Sequence, residues 1–86
     1  MSQNQRTTTP ILRKPELTAA IGRSNSSLYL DIKAGLFTPG VSLGARAVGW
    51  PADEVKAIMS ARIAGKTDSE IKSLVGGLIA ARKSAS

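Results

Sequence analysis

Residues 13–35 read RKPELTAAIGRSNSSLYLDIKAG and carry the clearest structural pattern of the chain. Pro15 suits a first helical turn and Gly22 suits a helix end, so the first part predicts a short helix. Ser24 can accept a hydrogen bond from the free amides of a second helix, which ends at Gly35. Two short helices joined by so tight a turn are typical of a helix-turn-helix.

Beyond this stretch the pattern changes from helical to β-prone and back. Val41–Leu43 and Ala47–Trp50 resemble two short strands, and Gly44–Arg46 between them predicts the turn of a small hairpin. A third helix is expected to follow Pro51 and to end near Gly65, since its apolar residues recur at helical spacing.

A fourth helix is predicted after Thr67–Glu70, which fits the capping-box pattern. Its apolar residues form one stripe at helical spacing: Ile71, Leu74, Val75, Leu78 and Ile79. Gly76–Gly77 opposes this helix, because each mid-helix Gly costs about 0.8–1 kcal/mol relative to Ala. The stripe is expected to pack on the chain's own core beside Ile58 and Ile63; the alternative is a neighbouring copy along DNA.

Composition excludes several classes of function. The chain has 86 residues, with 12 Lys and Arg, 6 Asp and Glu, and neither Cys nor His. This length predicts one small domain, and the missing residue types exclude disulfides, thiolate metal sites and triad hydrolases. We expect no catalytic role, no metal and no cofactor. The net charge of +6 favours nucleic acid as partner, the alternative being a generic basic domain.

Two strings that resemble functional motifs have structural explanations. Gly65–Thr67 is similar to the end of a phosphate-binding loop, but Ser60 stands where that motif needs Gly. A helix end followed by the next N-cap accounts for all three residues. Asp53 and Glu54 fall in a helix first turn, where acidic side chains offset the helix dipole, so we do not expect acid–base catalysis there.

The predicted second helix has two different sides. At 100° per residue Leu28, Ile32 and Leu36 share the side that packs. The outward side carries Ser26, Ser27, Leu30, Lys33 and Ala34. Serines in the first turn suit base reading in the major groove, Leu30 suits a thymine methyl, and Lys33 suits a phosphate. An ordinary solvated surface is the alternative, and Asp31 is expected to pair with Arg23 or Arg46.

Three stretches identify a family resemblance: residues 22–29 (GRSNSSLY), 35–39 (GLFTP) and 43–50 (LGARAVGW). Together they resemble the AlpA family of prophage-encoded regulators, over about residues 11–65. The resemblance implies a mainly α winged helix-turn-helix related to MerR and excisionase domains, with about four helices and a two-stranded wing formed by the hairpin. Family members commonly carry a basic residue where this chain has Leu30.

The expected domain organisation follows from the resemblance and the periodicity. Residues 1–10, which lack apolar periodicity, form a flexible polar tail. Residues 11–65 form the winged DNA-binding domain, and residues 66–86 form a C-terminal amphipathic helix packed on that domain or on a partner.

The predicted DNA-binding residues lie in the helix-turn-helix and the wing: Arg23, Ser24, Asn25, Ser26, Ser27, Tyr29, Leu30, Lys33 and Arg46. Arg46 is expected to meet phosphate or the minor groove, the alternative being a salt bridge to an acidic flank. Tyr29 either donates to a phosphate with its ring against the wing or is an aromatic at the core edge. Phe37 and Trp50 are assigned to the core, while Arg13 and Lys14 would add sequence-independent attraction.

The expected partner is double-stranded DNA, and the protein partners to test are an integrase or recombinase, RNA polymerase, and further copies along DNA. Promoter activation, repression and promotion of excision by DNA bending are all compatible with the sequence. No apolar run approaches the ~20 residues of a membrane helix, so a cytoplasmic, nucleoid-associated bacterial protein is expected. Two other classes stay open: a protein-interaction module that uses the C-terminal helix, and a membrane-surface helix.

Overall fold

The computed structural model describes residues 10–85. Its elements are, in chain order, β1 (Ile11–Arg13), α1 (Lys14–Ile21), α2 (Asn25–Ala34), β2 (Val41–Ser42), β3 (Val48–Pro51), α3 (Ala52–Ile63) and α4 (Asp68–Ala85). The predicted class, mainly α with a small β wing, is confirmed. The polar tail predicted for residues 1–10 lies, apart from Pro10, outside the described residues.

The sheet has one strand more than the predicted two-stranded wing. β3 lies between β1 and β2 and is antiparallel to both, with Leu12 opposite Trp50. The Arg13 Nε donates to the Val48 carbonyl at 3.1 Å, and the Ala52 amide donates to the Pro10 carbonyl at 2.8 Å. β1 therefore ties the start of the domain to the wing. A strand of three residues is too short to show alternation, which is why the sequence did not reveal it.

Local signals set the ends of α1 and α2 as predicted. Gly22 and Gly35 adopt the left-handed conformation, with φ of 69° and 80°, which Gly tolerates without strain. Between them, the Ser24 side chain accepts a hydrogen bond from the Ser27 amide at 3.2 Å and so caps α2. The two helices are thus separated by a short, defined turn, as in a helix-turn-helix.

The connection from α3 to α4 consists of a helix end and a helix start. Gly65 has a φ of 81°, and the Lys66 amide donates to the Ala61 carbonyl at 3.0 Å. The Thr67 amide donates to Glu70 Oε1 at 2.8 Å, and the Glu70 amide donates to the Thr67 hydroxyl at 3.2 Å. The capping box and the structural explanation of Gly65–Thr67 are therefore both confirmed.

The core contains residues from every helix and from β3. Its buried apolar members are Leu17, Leu28, Phe37, Trp50, Val55, Ile58, Ile71 and Val75. Phe37 and Trp50 are in the core as predicted, and the Trp50 indole donates to the Thr38 carbonyl at 2.9 Å. α4 packs on α3 through Ile71 and Val75, while Leu74, Leu78 and Ile79 are partly buried against the same core.

One packing expectation is wrong. Ile63, expected beside the α4 stripe, is 84% exposed, whereas Ile58 is fully buried. Five residues at 100° each place Ile63 about 140° around the helix from Ile58, so the two side chains cannot share a face. Gly76–Gly77 lies on the exposed side of α4, and the helix continues through it.

Candidate nucleic-acid interface

The outward side of α2 is the central feature of the candidate interface. Leu28 is buried and Ile32 packs partly buried against the core, which confirms the inward side of α2 for these two residues. Leu36 is also partly buried, but it lies beyond the end of α2 at Ala34 and therefore does not belong to that side of the helix. Of the predicted outward residues, Ser26, Leu30, Lys33 and Ala34 are exposed and Ser27 is half-buried. The Leu30 side chain is 66% exposed.

The serine hydroxyls at the start of α2 differ in their hydrogen bonds. The Ser24 hydroxyl caps the helix and donates to the Ser27 hydroxyl at 3.1 Å. Ser26 makes no hydrogen bond through its side chain to any residue in the described range 10–85. Ser26 is therefore the serine of this turn whose hydroxyl has no hydrogen-bond partner within the described residues.

Asp31, an acidic residue in the helix expected to bind DNA, forms an ion pair within the chain. Arg23 Nη2 donates to Asp31 Oδ1 at 2.9 Å, which is one of the two pairings expected for Asp31. The Asp31 side chain is mostly covered, while the Arg23 side chain stays about half exposed. The pair links the turn to the second half of α2 and reduces the repulsion that a free carboxylate would exert on phosphates.

Tyr29 lies beside α1. The Lys14 ammonium is 4.8 Å from the centroid of the Tyr29 ring, within the range of a cation–π contact. The ring is 48% exposed. An exposed hydroxyl-bearing ring and a cation from two helices therefore lie side by side next to the outward side of α2.

Arg46 occupies the tip of the wing. The Leu43 amide donates to the Ala47 carbonyl at 2.8 Å, which closes the turn, and Gly44 has a φ of 155°. Arg46 is exposed and has no ion pair or hydrogen bond within the described part of the chain. The alternative expected for Arg46, a salt bridge to an acidic flank, is therefore not formed there, and Asp31 is paired with Arg23 instead.

Sequence reasoning missed a charged pair between α3 and α4. Glu54 lies in the first turn of α3, as expected, but is buried, and Arg82 of α4 donates to both of its carboxylate oxygens, at 2.8 Å from Nε and 2.6 Å from Nη2. The same Nη2 donates to the Pro39 carbonyl at 2.9 Å. Each residue has an ordinary local explanation, as an acid near a helix start and a base near a helix end, so no signal marks the pair.

Neither a metal-ligand cluster nor a membrane-spanning helix occurs among the described residues. Among residues 10–85 no three His, Cys, Asp or Glu side chains come together as a metal site would require. No helix in the same range is both long and apolar enough to cross a membrane.

A helix-turn-helix followed by a β-hairpin, with the hairpin joined to a third strand, defines a winged helix-turn-helix domain. Comparison with known families agrees. The family model described as "Prophage CP4-57 regulatory protein (AlpA)" matches residues 10–63, and the chain belongs to this family of phage regulatory proteins. The family resemblance expected from the sequence is therefore confirmed.

A phage protein gives a second match. The chain is similar to the uncharacterized protein ORF88 of Enterobacteria phage P4, with 47% identity over 55 residues. The aligned segment covers 64% of this chain and 62% of that protein. No solved structure matches the chain. The family match ends at residue 63, so α4 lies beyond it.

Proposed function

We propose that this chain binds duplex DNA sequence-specifically, with α2 in the major groove and the Gly44–Arg46 turn against the backbone or the minor groove. The observation that carries this proposal is the outward side of α2, which presents a hydroxyl, an apolar group and a cation in a helix-turn-helix of a regulatory family. Acting at the bacterial nucleoid, it would regulate transcription or direct excision for a phage or an integrated element.

Base reading is assigned to Ser26 and Leu30. They are four residues apart, so they lie one above the other on the same side of the helix. The Ser26 hydroxyl can donate to or accept from a base edge, and the exposed Leu30 side chain matches the methyl group of thymine. The proposal therefore includes a thymine near the base that Ser26 contacts.

Backbone contact is assigned to Lys33 and Arg46. Lys33 is exposed in the last turn of α2, and Arg46 is exposed at the tip of the wing. A planar guanidinium can donate two hydrogen bonds to one phosphate or enter a narrow minor groove. Contacts at two separate elements would fix the orientation of the domain on the duplex, while Ser24, Asn25, Ser27, Tyr29 and Arg23 support the same surface.

The regulatory outcome is expected to depend on the location of the site. A site that overlaps promoter elements would favour transcriptional control with RNA polymerase as partner. A site beside an attachment core would favour an excisionase role with an integrase, as the likeness to MerR and excisionase domains suggests. A footprint of the purified protein on DNA upstream of its own gene separates the two.

The rival role, a protein-interaction module built on α4, has less support. Ile71 and Val75 of the α4 stripe are buried in the chain's own core and cannot also cover a partner. We therefore assign residues 11–65 to the DNA-binding domain and α4 to a helix that packs on it.

The test uses a duplex enriched from a randomised library by the unaltered chain, and a shuffled duplex of equal length. Ser26→Ala should weaken binding to the selected duplex by about 1–3 kcal/mol and leave the shuffled duplex unaffected. Arg46→Ala should weaken binding to both and lower the salt slope by about 1. Ser60→Ala on α3 and Lys56→Ala are the matched controls. Equal binding of both duplexes by the unaltered chain would contradict the proposal.

A further inference from the structure

The segment between α2 and β2 links the proposed recognition helix to the wing. It runs from Gly35 to Gly40, since α2 ends at Ala34 and β2 begins at Val41. Because both ends of this segment carry elements that would touch DNA, its path sets the distance and angle between them. A change in this path would alter the recognition surface without changing any residue on it.

Two consecutive carbonyl groups of this segment are held by side chains from elsewhere in the fold. The Thr38 carbonyl accepts from the Trp50 indole at 2.9 Å, and the Pro39 carbonyl accepts from Arg82 Nη2 at 2.9 Å. The next residue, Gly40, lies so close to Val48 and Trp50 that a Cβ there would overlap the Val48 side chain. The segment is thus held against β3 on one side and to α4 on the other.

Arg82 makes the attachment of this segment to α4 rigid. Its Nε and Nη2 donate to the two oxygens of the buried Glu54 carboxylate, and Nη2 also reaches Pro39. The planar guanidinium fixes these three hydrogen bonds in one geometry, which the single ammonium of a lysine cannot reproduce. One side chain therefore connects α4, the first turn of α3 and the segment before the wing.

We propose that Arg82 is a positioning residue for DNA recognition: by holding the Pro39 carbonyl and Glu54, it fixes the wing relative to α2. Arg82 lies outside the residues of the family match, so α4 is an accessory through which this chain sets the geometry of the shared domain. The inference rests on the proposed function. α2 and the wing can both contact DNA well only when their spacing matches the duplex. A wing that is held less firmly should therefore reduce the preference for the selected DNA sequence.

Arg82→Ala alone would not test this inference, because it leaves a buried carboxylate unpaired and so strongly destabilises the fold. The double variant Glu54→Met/Arg82→Met removes both charges together and leaves the net charge of the chain unchanged. Apolar replacement of a buried ion pair often preserves stability, whereas the bond to Pro39 is lost. Arg82→Lys is the second variant, since it keeps the positive charge beside Glu54 but not the planar arrangement.

Both variants are compared with the unaltered chain at a temperature where circular dichroism shows all three folded. We expect the preference for the library-selected duplex over the shuffled duplex to fall roughly tenfold, the order of one lost base contact. The Trp50 indole proton, followed by NMR, should exchange faster with solvent, because the neighbouring Pro39 carbonyl is no longer held.

Two results would overturn the inference, and they are distinguishable. If the unaltered chain prefers the selected duplex and both variants prefer it equally strongly, Arg82 does not position the wing, although the proposed function stands. If the unaltered chain shows no preference between the duplexes, the proposed function fails and the inference fails with it.

Discussion

The contribution of α4 to stability can be tested at Ile71, which is 1% exposed and lies in the same core as Ile58. Replacing a buried isoleucine by alanine removes buried methyl groups and leaves a cavity, at a cost of about 2–5 kcal/mol. A domain of this length has a total stability of about 4–13 kcal/mol. Ile71→Ala should therefore remove a large fraction of that stability and lower the melting temperature by at least ~8 °C.

Ile63→Ala is the matched control, because it makes the same substitution in a helix at a side chain that is 84% exposed. Its effect on the free energy of unfolding should stay within about 0.5 kcal/mol. Urea and thermal unfolding of both variants, followed by circular dichroism, give the two values under one set of conditions. If Ile71→Ala and Ile63→Ala unfold alike, α4 does not share the core, and the packing argument for this helix is refuted.

Three further substitutions probe other features. Gly76→Ala places a methyl group in open space on the exposed side of α4 and should raise the free energy of unfolding by about 0.8–1 kcal/mol in urea titrations. Thr38 is buried, and its hydroxyl has no hydrogen-bond partner among the described residues, so Thr38→Val should raise that free energy by about 1 kcal/mol. The backbone hydrogen bond from Thr67 lowers the pKa of Glu70. The resulting stability is present above the usual glutamate pKa and is lost as the pH falls through the lowered value, so the difference in melting temperature between the unaltered chain and Glu70→Gln should shrink on acidification.

The parts of the fold that could be predicted from the sequence are those set by neighbouring residues. Gly22, Ser24 and Gly35 mark helix ends through backbone conformation or capping, which act within one turn of the chain. β1 could not be predicted in this way, because its three residues become a strand only through pairing with β3, far along the chain. The pairing of Glu54 with Arg82 is non-local in the same sense.

The candidate interface also has features that the sequence predicts and features that it does not. Helical periodicity alone separated the buried Leu28 from the exposed Leu30, because the side that packs repeats every three to four residues. Periodicity does not reveal which hydroxyl is committed to a cap. The bond between the Ser24 and Ser27 hydroxyls depends on rotamers that the structure defines, and Ser26 is the serine of this turn without a partner among the described residues.

The basic side chains near the interface also differ in whether they already have a partner within the chain. Arg13 donates to a wing carbonyl, Lys14 lies over an aromatic ring, and Arg23 is paired with a carboxylate, so DNA phosphates would compete with an existing partner for each of them. Lys33 and Arg46 have no such partner within residues 10–85. A cation without an internal partner can contact a phosphate, and release the counterions condensed there, without losing another interaction. In the proposed complex these two residues, one on each element that touches the duplex, therefore contact phosphates at no cost to an internal interaction.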